Sequence, residues 1–335
     1  MSQLPNPAFP GPIYRGPMTI SQILDHTFRL LRSRFRLLVG IAVVPAMVGF
    51  LIMAAMEAAF MMPFFRHFPK PPNPEDLATL FNPTIFAPVY LITTAIGLTV
   101  FALYWAAASR AATQADLGIS ITFKEAWREA FSHAGRFTWL LLLVYAITFL
   151  PAILAELATF GAAGLLTHGH SNPNPAAIVA IMFGMLFVVA AFVYGILMAL
   201  RLLLAFPACV VEGLTARAAL KRSNQLTKGA KGRIFVVLLV TYLACYAFTL
   251  VLFAVLFVLG SIFSLVGMAL SIPLASPLGY TAIGFVGLCG LIGFLLYIAL
   301  SWAALTTTLA VIYHDQRLRH DTPPPTPQPA GALAP

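Results

Sequence analysis

The sequence predicts an all-α, polytopic integral membrane protein: six transmembrane helices with amphipathic interfacial helices along one face. Three observations carry this. The 335 residues are 60% hydrophobic and only 9% charged, where soluble domains carry about 25% charged residues. Apolar runs exceed the ~20 residues that a bilayer-spanning helix needs. The cationic residues, finally, are distributed unequally between the two sides of a six-span arrangement.

Taken in order, residues 1–17 hold five prolines and little apolar surface. Such a segment is expected to remain a disordered, extended tail. Apolar segments follow at about 37–60, 87–109, 137–160, 176–206, 234–260 and 281–311. The first begins too late and runs too long for a signal-peptide core, so it is expected to stay as a retained span. Low polarity continues past the fifth segment to Ile272. A straight helix that long would reach about 58 Å at ~1.5 Å per residue, nearly twice a ~30 Å hydrocarbon core. The expectation is therefore a span to about Gly260, then a separate shallow helix over 261–272, interfacial or re-entrant. Pro273 and Pro277 break the chain before the last span. Residues 321–335, ending "TPPPTPQPAGALAP", form a second disordered tail, which leaves about 18–320 as the membrane domain.

Six spans put both termini on one side. The amino-terminal arm holds five Lys and Arg residues, 110–136 four, 201–233 seven and the carboxyl-terminal tail two, leaving Arg66 and Lys70 for the other side. Positive charge resists translocation, so both termini are expected in the cytoplasm. The net charge of +9 is thus explained by topology, and nucleic acid is not an expected partner.

Three basic stretches resemble one another: "TISQILDHTFRLLRSRFRLLV" from Thr19, "ITFKEAWREAFSHAGRFTWLLLL" from Ile121 and "GLTARAALKRSNQLTKGAKGRIF" from Gly213. Each predicts an amphipathic helix, at about 20–35, 122–134 and 215–228, leading into a span. Thr19 with Gln22 and Thr122 with Glu125 have the spacing of a capping box. Thr215 is placed to cap the third, and Gly135 and Gly229 to close the second and third in left-handed turns. In the first, Leu24, Phe28, Leu31 and Phe35 form the apolar stripe, with Asp25, Arg29, Arg32 and Arg36 opposite. In the third, Arg217, Lys221, Asn224 and Lys228 form the wet stripe, with Ala216, Ala219, Leu220 and Ser223 opposite. Helices of this kind lie at the headgroup level with their cations reaching anionic lipid. The chain therefore reads as three units of surface helix plus membrane hairpin.

The run "RLLLAFPACVVEGLTARAALKRSNQLTKGAKGRIF" resembles the membrane domain found joined to some bacterial glycerophosphoryl diester phosphodiesterases, a family with free-standing six-helix relatives. The matching positions are Arg201, Pro207, Glu212, Ala219, Ser223, Leu226 and Gly229. The opening "TISQILDHTFRLLRSRF" and the closing "TTTLAVIYHDQRLR" are similar to that family's two ends, so the likeness covers about 18–320. It implies an architecture and a bacterial cytoplasmic membrane. It does not imply catalysis, because phosphodiesterase activity in such fusions belongs to a soluble barrel with acidic metal ligands, which nothing here supplies.

Ionisable residues in spans are functional candidates. Arg201 and Glu212, at one end of span four, are expected to pin the surface helix to its span, with Glu212 neutralising part of the Arg217, Lys221 and Arg222 cluster. Arg217, on the wet stripe of that helix, and Ser223, on the stripe opposite, are further polar candidates. Glu57 and Glu156 lie near the outer ends of spans one and three; facing each other, they would suggest a proton or cation pathway. His168 and His170, in "THGHSNPNP", could join Glu156 as zinc ligands but read as a solvated loop. Cys209, Cys245 and Cys289 stand singly and read as packing residues. The glycines at 284, 287, 290 and 293, like Ala191, Gly195 and Ala199, read as sites of close helix approach. No HExxH, GxSxG, P-loop or GxGxxG motif stands in a suitable context, and no cofactor or metal is expected. The functional expectation is a non-catalytic scaffold or accessory subunit whose partners are anionic headgroups and a protein at the cytoplasmic face. A small-solute or ion transporter is the alternative, with an enzyme acting on lipid third.

Overall fold

The computed structural model describes residues 17–66, 83–167, 175–269 and 277–321, and every regular element among them is an α-helix. In chain order these are α1 (Ile20–Ser33), α2 (Phe35–Arg66), α3 (Pro83–Asp116), α4 (Phe123–Ser132), α5 (Ala134–Thr167), α6 (Pro175–Leu202), α7 (Ala205–Val211), α8 (Ala216–Thr227), α9 (Lys231–Ala269) and α10 (Pro277–Asp321). Among the described residues, six helical stretches are long and apolar enough to cross a membrane: Phe35–Glu57, Pro88–Asp116, Ala134–Leu165, Pro175–Val211, Lys231–Ile262 and Gly287–Asp321. The chain is an all-α, multi-pass membrane protein.

The three amphipathic helices α1, α4 and α8 each precede a packed hairpin, α2–α3, α5–α6 and α9–α10 respectively. All three lie at one end of the bundle, here termed the basic end. Both expected capping boxes form. Thr19 and Thr122 each accept from the backbone N–H three residues on, while the Gln22 and Glu125 side chains accept from the capping residues' own N–H groups. These bonds satisfy donors that a helix start leaves orphaned. Thr215 occupies the corresponding position of α8, but its side chain makes no capping bond. Gly229 turns left-handed at φ 82°, the conformation glycine adopts without a Cβ penalty. Gly135 does not; it belongs to the first turn of α5, and α4 ends instead at His133.

The Thr122 N–H and hydroxyl both donate to the Glu125 carboxylate, at 2.8 Å each. These bonds, the backbone one foremost, hold the carboxyl below its ordinary range. Their contribution to α4 is complete above the usual Glu pKa and is lost as pH falls through the lowered value. Amide exchange in the first turn of α4 is expected to accelerate over that acidic window in wild-type protein and to show no such step in Glu125→Gln.

The fifth span differs from expectation. α9 continues unbroken for 39 residues to Ala269, so 261–269 extend that helix rather than forming a second, shallow one. The intervening residues offer no proline, and each backbone N–H keeps its partner four residues back only if the helix continues. Residues 270–276, including Pro273, lie outside the described residues, as do 1–16 and 322–335 of the expected tails.

Burial concentrates at the basic end. Small residues on α3 (Ala102, Ala106, Ala107, Ala111, Ala112) and α10 (Ala299, Ala303, Ala304) are almost wholly buried, which lets backbones approach closely where lipid supplies no drive for association. Phe101, Tyr104, Trp105, Phe206 and Trp302 pack ring against ring beside them. The spacing of α5 and α6 is set by glycine: a Cβ on Gly195 would lie 2.9 Å from the Thr148 carbonyl oxygen. In the last span only Gly293 makes such an approach, toward Leu256, whereas Gly284, Gly287 and Gly290 face open space. The packing role read into that run reduces to one of its four members.

Candidate functional site

Near its end, α10 carries the sequence Tyr313-His314-Asp315-Gln316. Successive residues of an α-helix advance by about 100°, so these four side chains leave in different directions. Each reaches a different part of the basic end. The Tyr313 hydroxyl donates to Glu212, beyond the end of α7, at 2.7 Å. His314 Nδ1 lies 3.0 Å from Asp116, the last residue of α3. Asp315, with a fully buried carboxylate, pairs with Arg233 of α9 and with Arg319 one turn on, at 3.1 Å for the latter. Gln316, its amide oriented by its neighbours, donates to the Leu226 carbonyl of α8 (3.2 Å) and accepts from Arg233 (2.8 Å).

The residue just before the α1 cap is bound into the same hub. The Met18 N–H donates to Asp315 at 2.7 Å, while Arg233 and Arg319 donate to its carbonyl at 2.9 and 2.8 Å. Both backbone polar groups of one residue are thereby satisfied by charged partners, the stronger class of hydrogen bond. On α1, His26 Nε2 approaches the other oxygen of Asp116 at 2.5 Å. One buried carboxylate thus bridges imidazoles from the first and last helices of the chain, α1 and α10.

A second device holds the break between α6 and α7. Pro207 has no N–H to return to Leu203, and the helix is interrupted at Leu203–Leu204. The orphaned groups are met by α8. The Ser223 hydroxyl donates to the Arg201 carbonyl (2.8 Å) and accepts from the Leu204 N–H (3.1 Å), and Thr227 adds a bond to the same carbonyl at 3.3 Å. Ser223 is fully buried.

Glu212 does pin α8, through Arg222 at 3.1 Å. Arg222 also donates both to Glu212 and, at 2.7 Å, to Asp321; the Asp321 hydrogen bond is the main cause that holds its guanidinium above the ordinary Arg range. Arg201 acts through its backbone: its guanidinium meets no carboxylate among the described residues, and its Nε is shielded without a partner. Arg217 is exposed. Glu57 and Glu156 both point out of the bundle, on helices α2 and α5 that share almost no contact, so they do not face each other. Among the described residues no three His, Cys, Asp or Glu side chains gather to hold a metal; His168 and His170 lie outside them.

Sequence reasoning passed over His26, Asp116, Arg233, Tyr313, His314 and Asp315. The available signal was the "YHDQ" run itself: an acid and an amide at the end of an apolar span, where topology alone calls only for Lys and Arg. No family model, no curated protein and no solved structure matches this chain.

Proposed function

We propose that the protein is a non-catalytic scaffold or accessory subunit of a bacterial cytoplasmic membrane, with both termini cytoplasmic and its basic end gripping anionic headgroups. One observation carries the reading: the spending of acidic charge. At the basic end Asp25, Asp116, Glu125, Glu129, Glu212, Asp315 and Asp321 are each engaged by an internal donor. Arg32, Arg36, Lys124, Arg217, Lys221 and Lys228 are exposed and form no ion pair among the described residues. Cations left over on one rim of a membrane bundle have the anionic inner leaflet as their nearest counter-charge. The outward Glu57 and Glu156 favour this over transport, since a pathway needs its carboxylates inside the bundle. The likeness of the Arg201–Gly229 run to the phosphodiesterase membrane domain supports a membrane architecture of that kind.

Two measurements test it. A carboxyl-terminal epitope is expected to be protected in intact cells and exposed only on permeabilisation; labelling from outside overturns the orientation. Crosslinking in native membranes is expected to capture a protein at the basic end, with the yield falling in Arg217→Gln/Lys221→Gln. A bundle that crosslinks to nothing and releases no differently from anionic and neutral bilayers contradicts the scaffold.

A further inference from the structure

The three basic helices are not equivalent. α1 buries Ile23, Thr27, Leu30 and Leu31 against the bundle, so that of the Leu24–Phe28–Leu31–Phe35 stripe only Leu31, with Leu24 half-buried, packs inward. Phe28 and Phe35 are left 44% and 49% exposed. Together with Leu31 and Arg32 they line a shallow groove on the outer side of α1, where it turns at Arg34 into the first span. The floor and walls are two phenyl rings and a leucine. The rim carries Arg32, with Arg36 one turn farther along, and neither meets a carboxylate among the described residues; Arg29, by contrast, is paired with Asp25.

We propose that this groove is a binding site for one anionic phospholipid, its acyl–glycerol portion against Phe28, Leu31 and Phe35 and its phosphate at Arg32. The inference rests on the orientation proposed above and deepens it by assigning one lipid to one helix. Charge complementarity and depth select the occupant. Phe35 is the first residue of a membrane span, so the groove opens at the level where headgroup meets hydrocarbon. A ligand there must be apolar on one side and anionic on the other. A soluble phosphate would use the arginine and leave the rings in contact with nothing. The opposite side of the same helix carries His26 against Asp116 and follows Met18, held by Asp315. A lipid seated against Phe28 and Arg32 therefore lies within a helix diameter of the hub and steadies the element that closes it.

The test is native mass spectrometry of the full-length protein released from nanodiscs of equimolar phosphatidylglycerol and phosphatidylcholine. Wild type is expected to retain phosphatidylglycerol preferentially. Arg32→Gln is expected to cut that retention about fivefold, as ~1 kcal/mol per basic residue near the surface implies. Phe28→Ala is expected to lower retention of both lipids. Both side chains point outward, so folding should survive, and circular dichroism of each variant checks that it does. Arg128→Gln, which removes an exposed cation of α4 away from the groove, is the control and should change retention little. Excess inorganic phosphate should not displace the lipid; displacement would show a bare anion site and overturn the assignment. Equal losses in Arg32→Gln and Arg128→Gln would reduce the effect to general headgroup attraction and overturn the groove while leaving the scaffold reading intact. Absence of any lipid preference in wild type would instead strike the broader reading.

Discussion

Asp315→Ala is expected to destabilise the bundle by about 3–5 kcal/mol, the range for breaking a buried ion pair by removing one partner. The carboxylate is fully buried and serves three donors: Arg233, Arg319 and the Met18 N–H. Its removal leaves two guanidiniums facing each other across an uncharged gap, besides an unpaired peptide donor. Asp315→Asn should fall between, because the amide oxygen can still accept from Met18 but offers no charge. Thermal unfolding in nanodiscs measures the loss, and hydrogen exchange at the start of α1 should show it first. A variant as stable as wild type, with the α1 amides still protected, would remove Asp315 from the centre of the hub.

The second large effect lies at the α6–α7 break. Ser223→Ala deprives the Leu204 N–H of its acceptor, and a buried donor left unmade costs about 1–3 kcal/mol. The Arg201 carbonyl keeps Thr227, so the single variant exposes only half of the device. Ser223→Ala/Thr227→Val should lose a further ~1–3 kcal/mol, and the two changes should couple because they share an acceptor. If Ser223→Ala alone left stability and the exchange of the Leu204 amide unchanged, the hydroxyl would not be holding the break.

The parts of this architecture that were legible are those governed by local chemistry. Six spans follow from the lengths of apolar runs, and the starts of α1 and α4 from Thr-x-x-Gln and Thr-x-x-Glu. The pinning of α8 by Glu212 was legible because Glu212 is an acid set among cations ten residues from its partner. Continuity of α9 was misread because a thickness argument was applied to a stretch that contains no helix breaker between Gly260 and Ala269. Which apolar residues of α1 pack inward and which, like Phe28 and Phe35, stay outward was not legible, because periodicity identifies an apolar face without saying whether protein or lipid covers it. The hub was illegible for a different reason. Asp116 meets His26 across 90 positions and Asp315 meets Met18 across 297, and no spacing rule links residues so far apart in one sequence.

That longest bond has a consequence for biosynthesis. Spans enter the bilayer in the order they are translated, yet the peptide at Met18 finds its acceptor only when residue 315 has left the ribosome. Until then α1 has its His26–Asp116 contact but lacks the latch at Met18, and Arg233 waits with its charge unanswered. Completion of the basic rim is therefore a late event in the life of the nascent polypeptide.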